Sequence, residues 1–305
     1  NALADRAEAT SNPAPRCFFS GEFFEGSHPP SGDFYLLIHN EEEARVYVRR
    51  WKEHGAHFIK AYHTLPWQLA RAVAKEARRL GLPVVGHGDH VEGITKGVTL
   101  GYAFLEHTNW PNRLYDDVLQ MLAVAGTRWD PTLAIKGGNP LLLRDEPERL
   151  ADAKLRAFAP EQEIHEAQTW FKAVDKNVLR GSRFEQLAAI RAAHRRGVKL
   201  QVGTDSGVPG IFHGASLHWE MEHFVQAGLP PLEVLRIATQ EAAAAVGADD
   251  DLGTLEAGKL ADLVLLDANP LEDIKNTQAI WRVIKGGWLF DPHKLRPPAS
   301  ILATK

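Results

Sequence analysis

The 305-residue sequence has one cysteine, Cys17, and two methionines. A single thiol excludes a disulfide framework within the chain and every multi-cysteine zinc site, and it says little about compartment. No apolar run approaches the roughly 18 residues that a membrane span requires, and the polar stretch Asn1 to Pro15 has no signal-peptide pattern. There is no long basic run, and the formal net charge is −4. Nucleic acid and an anionic membrane surface are therefore not the expected partners. The Gly-x-Ser-x-Gly elbow is missing, so Ser206 is not read as a nucleophile. An initiator Met is missing too, as expected of a processed product or a fragment.

What is present is alternation. His57-Phe58-Ile59-Lys60, Pro83-Val84-Val85-Gly86-His87 and Ala103-Phe104-Leu105-Glu106-His107 are short strand-like runs, and the stretches between them have helical periodicity. The spacing fits one strand, one crossover helix and two short loops, so the strands are expected to be parallel neighbours. Arg16 to Gly21, Thr127 to Thr132 and Val198 to Thr204 read as further strands. Outer helices are expected over Glu41 to His54, Leu65 to Leu80, Val91 to Leu100, Leu114 to Ala125, Phe184 to Arg196, Leu217 to Ala227 and Pro231 to Val246. Asn1 to Pro15 reads as a helix remnant running into a loop, and Gly21 to Asp33 as a Gly/Pro/Ser-rich loop. The rhythm breaks at Leu133 to Gly181. Insertions that follow a barrel strand sit on the active-site face, so this one is a candidate lid, with a solvated helical excursion as the equal alternative. Beyond residue 248, Ala261 to Asp267 and Ile280 to Gly287 are strand and turn signals without long helices between them. The expected fold is thus α/β: a TIM-like (β/α)8 barrel over residues 1–248 and part of a small β domain over 249–305.

In a parallel barrel the C-terminal strand ends share one face, so Lys60, His87, His107 and Asp205 would converge there. Neutral imidazoles are favoured zinc ligands, although either histidine alone fits a structural, hydrogen-bonded role. An ammonium would be repelled by a cation. A buried Lys60, however, would tend towards the neutral amine, which can add carbon dioxide and become a carbamate; snorkelling to solvent is the competing reading. Asp205 lies between glycines in Gly203-Thr204-Asp205-Ser206-Gly207 and has the chemistry of a metal ligand and proton acceptor, or of a turn cap. His63 and His218 are candidates for substrate contact, with a loop or surface role as the alternative for each.

These pieces resemble the amidohydrolase superfamily, in its imidazolonepropionase-like and prolidase-like branch. The matching stretches are Phe58-Ile59-Lys60, Val85-Gly86-His87, Leu105-Glu106-His107, Gly203-Thr204-Asp205-Ser206 and, most specifically, Leu252-Gly253-Thr254-Leu255-Glu256-Ala257-Gly258-Lys259-Leu260-Ala261-Asp262-Leu263-Val264. The resemblance implies a barrel in which a carbamylated Lys60 bridges two divalent ions, zinc by donor type. His87 and His107 would hold one ion, and Asp205 would hold the other and act as the base. The family's His-x-His pair, at the end of its first strand, has no counterpart ahead of Arg16. With Arg16 to Ser20 as strand three, the chain supplies strands three to eight. The first two, and the first half of a small β-sandwich, are expected from an upstream segment of the same protein or are missing. The expected activity is hydrolysis of amide C–N bonds in short peptides or cyclic amides. The alternative is a catalytically incomplete barrel fragment with a binding or assembly role, partnered by that upstream segment or by a second copy of the chain.

Overall fold

The computed structural model of the chain describes residues 13–26, 34–107, 114–173 and 175–295. Most of the expected N-terminal helix remnant, and the 27–33 part of the Gly/Pro/Ser-rich loop, lie outside them. Six short strands run parallel: β1 (Phe23–Glu25), β2 (Tyr35–Leu37), β3 (Ile59–Lys60), β4 (Val84–His87), β5 (Phe104–Glu106) and β6 (Arg128–Asp130). Parallel bridges Phe24 to Ala61 and Trp129 to Leu200 extend the series at both sides, giving the order β2-β1-β3-β4-β5-β6-Leu200. The strands bury apolar residues such as Phe24, Ile59, Val84, Val85, Leu105 and Trp129, because helices cover the sheet.

The outer helices follow from caps and stripes. In the helix Glu41–Glu53, the Asn40 side chain accepts from Glu43 N, while the Glu43 carboxylate accepts from His39 N at 2.9 Å, a reciprocal cap. Glu41 and Glu42 stand at the positive end of its dipole, and Arg50 and Lys52 at the negative end. The helix Trp67–Arg79 buries Leu69, Ala70, Val73, Ala74 and Ala77, the three- and four-residue spacing of one face. Gly101 and Gly126, at φ 73° and 69°, close the helices Val91–Leu100 and Asp116–Ala125 in the left-handed conformation that glycine adopts at little cost.

Three expectations shift. Arg16 to Ser20 forms no strand; pairing begins beyond Gly21, where Phe24 is fully buried and bridges to Ala61. Tyr35–Leu37 adds a parallel strand that the periodicity did not suggest, and Val198 to Thr204 pairs only at Leu200. The outer helix expected from Phe184 starts at Lys176, capped by the Asp175 side chain.

The insertion is a series of helices joined by short connections in its described residues, and it carries its own apolar cluster. Leu142, Leu143, Leu150, Leu155, Ala159, Ile164 and Ala167 enclose Phe212 and Trp219. Trp219 belongs to the helix Ala215–Gln226, so the segment is packed onto the body of the fold and is not a solvated excursion. The C-terminal part forms an antiparallel sheet, β7 (Leu263–Leu266), β8 (Ile280–Lys285) and β9 (Trp288–Phe290). The glycine pair Gly286-Gly287, both at positive φ, makes the β8–β9 turn. This sheet is tied to residues at the start of the described chain: Arg16 pairs with Asp262 at 3.2 Å, and Lys285 Nζ donates to Ala14 O at 2.8 Å. No helix of the described residues is long and apolar enough to cross a membrane.

Because Trp219 joins the insertion to the helix beneath it, Trp219→Ala should cost about 3 to 5 kcal/mol in urea unfolding, as for a buried aromatic residue. A loss below about 1 kcal/mol would mean that the two parts are not packed together.

Candidate metal centre

Lys60 closes β3 with only 8% of its surface exposed. Burial pushes its pKa down; the nearby charges of Glu106, Asp205, Asp130 and Asp89 oppose that shift. His87 closes β4 and pairs in register with Glu106, and His107 follows β5 directly. Their ring centroids are 4.6 Å apart. The His63 ring lies 5.4 Å from that of His87, and ligand atoms of His63, His87 and Asp89 all fall within 4.8 Å of one another. Asp205 is exposed, and its charge acts on both Lys60 and Glu106. Lys60, His87 and His107 therefore lie at one end of the sheet with His63, and Asp205 is near enough for its charge to act on Lys60. His218 does not join them. It sits on the helix Ala215–Gln226, where its Nδ1 is hydrogen bonded to the Thr277 hydroxyl at 2.9 Å, and burial pushes its pKa down to about 4.

The backbone is strained where the side chains gather. Among the described residues, the non-glycine positions with positive φ are His107 (75°), Thr132 (43°) and Asp205 (55°), each just beyond a strand end or expected strand. Such conformations cost of order 1–3 kcal/mol and persist where surrounding bonds over-determine them. His107 N donates to Asp130 O at 2.7 Å, Trp129 Nε1 donates to His107 O at 2.7 Å, and His107 Nδ1 is hydrogen bonded to the Thr132 hydroxyl at 2.8 Å. Thr132 is β-branched, for which positive φ is a genuine outlier.

Two carboxyls, the half-buried Glu106 and the buried Asp130, act on Lys60 through their charge, and desolvation pushes both upwards. Asp130 Oδ1 accepts from Gly203 N at 3.0 Å and Thr132 N at 3.2 Å. A Cβ at position 203 would lie 1.8 Å from Asp130 Oδ2, so glycine permits this approach. Asp89, Glu106, Asp130 and Thr132 were not picked out from the sequence. For Asp130 the signal was there, because it ends a strand by the same rule that selected His87; for Thr132 nothing in the residue type announces a left-handed backbone. As a donor set, two adjacent imidazoles, exposed and buried carboxylates and a lysine pushed towards the neutral amine suit a divalent cation.

The Amidohydrolase family profile matches residues 1–289, and the chain belongs to that family. It is 29% identical over 227 residues to ochratoxinase of Aspergillus niger, an alignment covering 72% of this chain and 40% of that protein. It is 38% identical over 97 residues to imidazolonepropionase of Shouchella clausii, covering 32% of this chain and 22% of that enzyme. The chain thus spans well under half the length of these curated relatives. Among solved structures, it is similar to a putative prolidase from Bifidobacterium longum, with a TM-score of 0.73 and 26% identity over 98% of this chain and 72% of that one. The fold is accordingly the TIM-barrel type of the amidohydrolases.

Two outcomes test this geometry. Gly203→Ala forces a methyl group against the Asp130 carboxyl and should lower unfolding free energy by about 1–3 kcal/mol, the usual cost of overpacking; unchanged stability would show that the approach is not tight. For His218, the unfolded chain gains a proton near pH 6.5 that the folded chain takes up only near 4. Stability from this group is complete above pH 6.5 and declines as pH falls towards 4. His218→Gln should therefore lose less stability over that interval than the parent; an equal loss in both would rule out His218 as a contributor.

Proposed function

We propose that the chain is the barrel of a metal-dependent hydrolase of amide C–N bonds, with short peptides or cyclic amides as substrates and peptides preferred. The observation that carries this reading is the convergence of a buried Lys60 with His87 and His107 at one end of the sheet, with Asp205 near enough for its charge to act on Lys60. His87, His107 and a carbamylated Lys60 would hold one divalent ion, zinc by donor type, and Asp205 with the other carbamate oxygen would hold a second. Such an ion would polarise the scissile carbonyl and make a water easier to deprotonate.

The remaining chemistry belongs to the chain. Asp205, exposed beside Lys60, takes a proton from the attacking water as its oxygen bonds to the carbonyl carbon, and returns it to the nitrogen as the C–N bond breaks. A cleft of about 390 Å³ beside the centre, lined by His63, Trp67, Asp89 and Lys96 among others, is large enough for a short peptide and gives His63 a place against substrate. The names of the similar proteins, an ochratoxinase, an imidazolonepropionase and a prolidase, favour an enzyme over a binding fragment. His218 has no part in this reading.

The same proposal covers what the chain does not supply. An upstream segment would bring the second ion's His-x-His ligands and what is needed to close the barrel beside β2, the parallel strand that lies outside β1. It would also cover the C-terminal sheet, where Val264, Trp281, Trp288 and Leu289 are exposed, completing a two-layer β domain. A second copy of the chain is the other candidate for that sheet.

Asp205→Asn is the direct test of the base. Asparagine tolerates the φ of 55° that Asp205 adopts, so folding should persist while turnover of short peptide amides falls at least about a hundredfold. Wild-type turnover in this variant would remove Asp205 from the mechanism.

A further inference from the structure

A carboxyl outside the metal centre reaches it through the backbone. Glu220, on the helix Ala215–Gln226, is fully buried, and its two oxygens accept separately from the first two amides beyond Thr132: Oε1 from Leu133 N at 2.8 Å and Oε2 from Ala134 N at 2.7 Å. Burial pushes Glu220 up to about 8 against the pull of these bonds. A buried carboxyl with both oxygens committed to backbone amides is a strong local restraint.

What it restrains is Thr132. This residue is held at φ 43° by Asp130, which accepts from its N–H, and by the Glu220 bonds to the next two residues. In this conformation the Thr132 hydroxyl meets His107 Nδ1 at 2.8 Å. A ring whose Nδ1–H donates to a fixed acceptor has its tautomer and orientation set, and its Nε2 carries the lone pair that a cation needs. The helix is itself fastened nearby. Ser216 Oγ, on the same helix, accepts from Asn139 Nδ2 at 3.0 Å and from Phe212 N at 2.8 Å.

We propose that Glu220 is a positioning residue for the metal centre: its carboxyl clamps the Leu133 and Ala134 amides, fixes the strained Thr132 and through it orients the His107 imidazole. The inference rests on the reading of His107 as a metal ligand, but its first readout does not need a metal.

The experiment compares the full chain with Glu220→Gln, Thr132→Val and the double variant. In metal-free protein, the His107 Nδ1–H resonance should exchange slowly in the parent, and exchange at least about tenfold faster or vanish in Glu220→Gln, together with faster exchange of the Leu133 and Ala134 amides. Zinc affinity, read by competition with a chromophoric chelator, should fall about 10- to 100-fold in Glu220→Gln and in Thr132→Val, the range seen for groups that orient metal ligands. The double variant should be no weaker than Thr132→Val alone, because the two residues act in series. If Glu220→Gln does not fold, Glu220→Asp, whose shorter side chain reaches one amide at best, carries the same readouts. An unchanged His107 resonance, or additive losses of affinity, overturns the proposal. A parent chain that binds no zinc while its His107 resonance still responds to Glu220→Gln overturns the metal reading and leaves the coupling standing.

Discussion

Taking the Lys60 ammonium out of water is the constraint on which the site depends. A lysine at the end of a buried strand must be neutralised, paired or modified. Around it the structure gathers Glu106, Asp130, Asp205 and Asp89, whose charges favour the protonated form that burial disfavours. Glu106 and Asp130 are themselves pushed upwards by desolvation. Burial and these charges thus act on Lys60 in opposite directions, and burial is the larger of the two. The two imidazoles, 4.6 Å apart, stand at the same end of the sheet as this lysine.

Holding that arrangement requires a backbone that the chain would not choose alone. His107, Thr132 and Asp205 sit in the left-handed region, the first two just beyond parallel strands and Asp205 beyond the isolated bridge at Leu200. The bonds that hold them come from different parts of the sequence: Gly203 and Thr132 to Asp130, Trp129 to His107, and Glu220 to the residues after Thr132. Strain of this kind persists because removing one bond does not release the others. The insertion contributes by the same logic. Its cluster around Phe212 and Trp219 anchors the helix that carries Glu220, so a segment outside the barrel rhythm supports the centre from behind.

The alternation of strands and helices was legible because each strand is an apolar run and each outer helix has one apolar stripe, as in Val91–Leu100, whose bounds match the expectation. Lys60 and His87 were picked out from strand ends that the structure forms, His107 from the position directly after one, and Asp205 from an expected strand that pairs only at Leu200. Their supports were not. Asp130 needs the bare backbone of Gly203 across the sheet, and Thr132 adopts a conformation that its β-branched side chain resists; both facts arise only once distant segments are in contact. The first strand was displaced for a similar reason. Phe18-Phe19 and Phe23-Phe24 are equally apolar in sequence, and tertiary pairing with Ala61 selects the second pair.

Metal content is the measurement closest to the central claim. Elemental analysis of the purified chain should find about one divalent ion per molecule, held by Lys60, His87 and His107, and the combined substitutions His87→Ala and His107→Ala should remove it. A metal content unchanged by those two substitutions, or a parent chain that retains no divalent ion, would contradict the account.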